Sequence, residues 1–285
     1  MTDSASDDVA TDLHSHSIFS DGRQTPEEVI GERVRKHLQV VALSDHDVLT
    51  GVHRAAVVAG AHGLVLVPAM EATSTIAFGT EQAEQIHVLA YWPPSFVQDG
   101  RLEKTRLWQR GERVQAAWKD YVLDFFARQP ADVREACDVD ALGRLAPAAF
   151  PGLQPLIDRV VARHQPTYRH LQLDHVHFWE DRSLFGWSPE QLIEEIRADG
   201  ARDVVAHPNR VRDKARMDDV LGLASGVEAY TSRHRADVAA RFRAFAEATG
   251  KHWTASSDRF AGVCRQTHLP GSFHRGSRRW FVRPM

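Results

Sequence analysis

Two histidines separated by one residue, His14 and His16, are the first histidines along the chain, and their spacing could hold a metal ion. Imidazole nitrogen is a borderline ligand suited to Zn, Mn or Fe, and carboxylates readily complete such sites. Further donors recur downstream as Asp45-His46, Glu71, His87, His207 and Asp258, each inside a short apolar run or just past its end. In a parallel α/β barrel or open sheet the carboxyl ends of strands converge, so donors distant in sequence share one site. A single histidine of this kind is most often a satisfied core or surface residue. A set spread over nearly every strand end is a candidate metal centre. Glu71 could bridge two cations, and paired cations activate a water and stabilise a leaving oxygen, which is hydrolytic chemistry.

The elements that must position these donors are legible from capping and periodicity. A first strand is expected near Val9–His14. Thr25-Pro26-Glu27-Glu28 then combines an N-cap, a proline at the first helical position and a capping-box glutamate ahead of Ile30, Val34 and Leu38 on one face. Val40–Leu43 reads as a strand, Thr50 as the cap of a helix ending before Gly63, and Leu64–Val67 and Gln85–Tyr91 as strands. Between Pro93 and Trp187 the alternation stops, with a long helix over Arg101–Arg128 and then Pro-, Arg- and His-rich sequence. It resumes at a second capping box, Ser188-Pro189-Glu190-Gln191. Strands follow at Asp203–Ala206, Val227–Tyr230 and His252–Ala255, with a helix from Ala236 to Thr249 before the last. The expected sheet is mainly parallel.

The organisation that follows is a disordered tail at 1–10, a barrel over 11–92, an inserted and mainly helical cap over 93–187, and the rest of the barrel with a C-terminal tail over 188–285. A hydrophobic fraction of 43% and a charged fraction of 26% describe an ordinary water-soluble chain, without the ~20-residue apolar run of a membrane span. The formal net charge of -3 supplies no general attraction to nucleic acid or anionic membranes. Cys137 and Cys264 form neither a disulfide framework nor a cysteine metal motif, and a cytoplasmic location is expected.

Asp12-Leu13-His14-Ser15-His16, Ser20-Asp21-Gly22, Ser44-Asp45-His46-Asp47, Glu71, His87 and Ala206-His207-Pro208 together resemble the PHP (polymerase and histidinol phosphatase) family of metal-dependent phosphoesterases. The resemblance covers roughly 11–92 and 188–260. It implies a distorted (β/α)7 barrel, with the insertion standing where related phosphoesterases carry a substrate-binding cap. It also implies one metal on His14, His16, Glu71 and Asp258 and a second on Glu71, His87 and His207, with a hydroxide held between them attacking phosphorus. A third site would use Asp21, His46 and a histidine two residues after Asp258. That position is Phe260, which has no lone pair to donate, so two divalent ions and a weak or missing third are expected.

Asp45, or Asp47 beside His46, stands where it could orient a ligand or move a proton, or else cap a turn. Arg210 could clamp a substrate phosphate or remain a solvated surface charge. His175-Val176-His177 lies in the insertion and is read as structural or substrate-facing. Trp108 and Trp118 are read as packing the cap onto the barrel, with base stacking, and phosphate binding by neighbouring basic residues such as Arg110 and Arg113, as the alternative. The resemblance favours a small phosphorylated metabolite, nucleotide or short oligonucleotide as substrate. The competing readings are a metal-binding domain that has lost turnover and a hydrolase of a non-phosphate bond. Replacing Phe260 by His should raise the bound-metal count per chain measured by elemental analysis; an unchanged count would reject a recoverable third site.

Overall fold

The computed structural model describes residues 10–257, so the N-terminal tail and everything from Asp258 onward, Phe260 included, lie outside the described residues. Seven strands form one sheet in sequence order: β1 (Thr11–Asp12), β2 (Val40–Leu43), β3 (Val65–Ile76), β4 (Glu84–Tyr91), β5 (Arg202–Val205), β6 (Gly226–Tyr230) and β7 (His252–Ala255). The amide of Leu13 donates to Ala255 across 3.4 Å, which nearly closes β7 back onto β1. Asp12 reinforces this seam by accepting from the amide and hydroxyl of Ser257 while pairing with Arg33 at 3.0 Å.

The sheet is less uniformly parallel than the alternation of elements suggests. β3 and β4 follow one another without an intervening helix and pair antiparallel, and β4 is also antiparallel to β5, while the other pairs are parallel. β3 is much longer than its apolar core because it continues through the polar stretch Glu71–Thr75 to stay paired with β4. The barrel interior is filled by small and branched residues such as Val40, Ala42, Val67, Ala69, Leu89 and Val204. Tyr91 spans it and donates its hydroxyl to the carbonyl of Leu13 at 2.7 Å.

Helices α1 (Pro26–Arg35) and α2 (Val52–Ala61) cover the first strands. Both expected capping boxes form, at Thr25/Glu28 and at Ser188/Gln191. Thr50 does not cap α2. Its hydroxyl donates instead to Gln115, and the helix starts after Gly51 without a side-chain cap.

Between β4 and the helix opened by Ser188 the described chain contains only helical elements: α3 (Ser95–Gln98), α4 (Arg106–Ala127), α5 (Ala131–Ala136), α6 (Val139–Arg144), α7 (Leu153–Arg163), α8 (Gln165–Asp174) and α9 (Arg182–Phe185), with 3-10 turns among them. α10 (Pro189–Ala198), α11 (Lys214–Leu223) and α12 (Ala236–Ala248) then cover β5 to β7. The insertion has its own core around Val122, Phe126, Leu142, Leu156 and Val160. Among the described residues no helix is long and apolar enough to cross a membrane.

Among the contacts that seat the insertion on the barrel, two lie at the donor-bearing mouth. Arg110 of α4 is fully buried, pairs with Asp47 at 2.6 Å and donates to the carbonyls of Thr73 and Leu184. Asp47 also accepts from the amide and hydroxyl of Thr73, so its charge is fully used. Gly152, ahead of α7, donates its amide to Ile18 at 2.8 Å, and a Cβ there would stand 1.9 Å from the carbonyl oxygen of Ser20. Gly152→Ala should therefore destabilise the protein by about 1–3 kcal/mol, the usual cost of overpacking. Chemical denaturation reads this, and an unchanged midpoint would mean that the contact is not tight.

Candidate metal centre

Glu71 stands in β3 on the face that looks into the barrel mouth, opposite Leu89 of β4. His87 is two residues before Leu89 and so shares that face, diagonal to Glu71 and within reach of a long side chain. Its Nδ1 lies 2.9 Å from Glu71 Oε1, and Nε2 of His207, just past β5, lies 2.7 Å from the same oxygen. The other oxygen, Oε2, faces His14 Nε2 at 2.8 Å, His16 Nε2 at 3.2 Å and His46 Nε2 at 3.3 Å.

Five imidazoles thus converge on one carboxylate. Burial raises the Glu71 pKa, but the charges of His14, His46 and His87 more than offset it and hold the group well below the usual carboxylate range. For His46, burial lowers the pKa, and Glu71 with Asp21 outweighs it to bring the group up to about 10. Asp21 completes the cluster at 3.4 Å from His16 Nδ1 and 3.3 Å from His46 Nε2.

This donor set fits divalent cations. A carboxylate offers about four lone-pair sites, yet five ring nitrogens point at Glu71, and Nε2 of His14 and of His16 face each other across only 3.0 Å. Hydrogen bonding alone leaves nitrogens in surplus. Ions among them would take up the lone pairs. Among the described residues three groups have ligand atoms within 4.8 Å of one another: His14, His16 and Glu71; His16, Asp21 and His46; and His46, Glu71 and His87. Asp258, the remaining expected ligand, lies outside the described residues.

The loop after β1 holds its donors through Asp45. Its two oxygens accept from the Ser17 amide and hydroxyl and from the Ser20 hydroxyl at 2.6–2.7 Å, and burial raises its pKa. The carboxylate therefore braces the turn that carries His16 and Asp21. Gly22 is required in the same turn because a Cβ would lie 2.4 Å from the carbonyl oxygen of His16. Arg210 follows His207, donates its backbone amide to the His207 carbonyl and lines the cavity above the cluster. His175 reaches the same cavity from a 3-10 turn, whereas His177 is exposed beside Glu180.

Sequence reasoning passed over Glu228. This residue of β6 is fully buried, with Oε1 3.0 Å from His14 Nδ1 and Oε2 accepting from the His207 amide at 2.8 Å. The available signal was a glutamate inside the apolar strand Gly226–Tyr230, a position at which a charge must have a partner.

No family model matches the chain. It is 26% identical to the 3',5'-nucleoside bisphosphate phosphatase of Chromobacterium violaceum, over 87% of this chain and 86% of that protein. It is 23% identical to the phosphoribosyl 1,2-cyclic phosphate 1,2-diphosphodiesterase of Eggerthella lenta, over 81% of this chain and 89% of the relative. A solved structure from Bifidobacterium adolescentis, assigned as a metal-dependent phosphoesterase, superposes with a TM-score of 0.68 at 19% identity and covers 95% of both chains. The chain thus shares the fold of a metal-dependent phosphoesterase, and its curated relatives are a phosphatase and a phosphodiesterase, in keeping with the resemblance of its ordered donor set to the PHP family.

Because Glu71 is the shared partner of every imidazole in the cluster, Glu71→Ala should abolish stoichiometric metal uptake, whereas His87→Ala should lose only part of it. Elemental analysis after dialysis separates the two. Full retention of metal by Glu71→Ala would remove the centre from this position.

Proposed function

We propose that the chain hydrolyses a phosphomonoester of a small metabolite of mononucleotide size, with a planar or apolar group seated under the insertion. The observation that carries this reading is a single cavity of about 370 Å³ joining two unlike surfaces. Its floor is the donor cluster, and its far wall is Phe19, Val114, Trp118, Phe150 and Phe178. Ligand sites for small molecules are commonly apolar chambers of roughly 300–1,000 Å³ with a few placed polar groups. A chamber of this size suits a mononucleotide better than an oligonucleotide.

In this reading His14, His16, Glu71, His87 and His207, with Asp258, hold two divalent ions, Zn, Mn or Fe, while Asp21 and His46 form a partial third site. Bound divalent ions supply Lewis acidity toward the phosphoryl oxygens and an acidified water at neutral pH. Asp45 keeps Ser17 and Ser20, and through them Asp21 and His16, in register. Phe178 meets Trp118 edge-on at a 5.1 Å centroid distance, and the Trp118 indole donates to the Pro151 carbonyl, so this wall is rigid and excludes water from one side of the substrate.

Arg210 at the rim reaches an anionic group away from the reacting phosphate. A substrate with two phosphates, as in the name of the Chromobacterium relative, uses both ends of the cavity. The test is phosphate release from a panel of nucleoside monophosphates and 3',5'-bisphosphates with Mn or Zn supplied. Chelation should stop turnover, and kcat/KM should be higher for the bisphosphates. Arg210→Ala should erase that preference by about 10- to 100-fold, the worth of a lost charge-assisted hydrogen bond. Turnover that survives in metal-free Glu71→Ala, or no release from any phosphoester, would end this proposal.

A further inference from the structure

Among the described residues, Glu228 is a buried carboxylate that contacts the cluster without facing the cavity. Ser256 donates its hydroxyl to Oε1, which also lies 3.0 Å from His14 Nδ1, and the His207 amide donates to Oε2 across 2.8 Å. Its side chain has no exposed surface. Every oxygen is thus committed to a donor that belongs to, or adjoins, a proposed metal ligand.

The arrangement constrains His14 in a particular way. The ring is flanked by two carboxylates, Glu228 on Nδ1 and Glu71 on Nε2. A neutral imidazole has one N–H and one lone pair, so it can donate to only one of them. Glu71 also meets four other imidazoles, whereas among the described residues the ring nitrogen paired with Glu228 is that of His14. The proton therefore belongs on Nδ1, which leaves the lone pair on Nε2 facing the site where a cation would sit.

His207 carries a second constraint. Its backbone has φ +29° and ψ +55°, an unusual conformation for a non-glycine residue and one further disfavoured by the following Pro208. Strained backbone persists where surrounding contacts over-determine it. The amide bond to Glu228 is such a contact, and it aims the His207 ring at Glu71 Oε1.

We infer that Glu228 is a positioning residue of the metal centre, fixing the tautomer of His14 and the backbone of His207 and thereby setting metal affinity. It rests on the metal reading of the site but is separable from it. The variant of choice is Glu228→Gln, which keeps the volume but replaces one acceptor oxygen by a donor amide. An amide cannot accept at both ends, so either His14 Nδ1 or the His207 amide must face a donor.

The expected result is a 10- to 100-fold weaker Kd for Zn²⁺ in competition with a chromogenic chelator, the usual effect of losing a partner behind a metal ligand. The melting temperature of the metal-free variant should stay close to that of the metal-free wild type. A second measurement needs no variant: the ¹⁵N spectrum of Zn-loaded wild-type protein should show His14 protonated on Nδ1. Equal Zn²⁺ affinity in Glu228→Gln, or a bare Nδ1 on His14, overturns the assignment while leaving the hydrolase reading intact. A wild-type chain that binds no Zn²⁺ overturns both.

Discussion

The structure depends on one buried negative charge, the carboxylate of Glu71 at the mouth of the barrel. A charge removed from water is costly unless it is paired, and here the pairing comes from imidazoles on separate parts of the chain: after β1, after β2, in β4 and after β5. Those elements must end at one level for the rings to meet. The antiparallel insertion of β4 between β3 and β5 serves this requirement, because it places His87 across from the extended, polar half of β3.

Around this charge the other buried carboxylates divide the work. Asp12 closes the β1–β7 seam, Asp45 braces the turn bearing His16 and Asp21, and Asp47 receives Arg110 from the insertion. Each is satisfied by donors on a different segment. The carboxylates that look alike along the sequence are therefore sorted by where their partners lie. Among the described carboxylates, Glu71 and the half-buried Asp21 line the cavity.

Much of this was legible in the amino-acid order because the signals are local. The capping boxes at Thr25 and Ser188 and the strand His252–Ala255 depend on residues within a few positions of one another. The donors were legible as a set through their recurrence at apolar runs. The antiparallel pairing of β4, the length of β3 and the diversion of Thr50 to Gln115 were not, since each is decided by a partner distant in sequence. Glu228 escaped for a related reason. Its role comes from lying beneath His14 and His207, 214 and 21 residues away in sequence. The His175-Val176-His177 pair lies on a 3-10 turn, which sends its two rings to different environments.

The seat of the insertion has an implication for how this molecule can change over time. Gly152 and Arg110 do not rest on the outside of the barrel; they bond to the very turns that carry His16, Asp21 and His46. The insertion is consequently not an interchangeable module that recombination could trade for another while leaving the reaction centre intact.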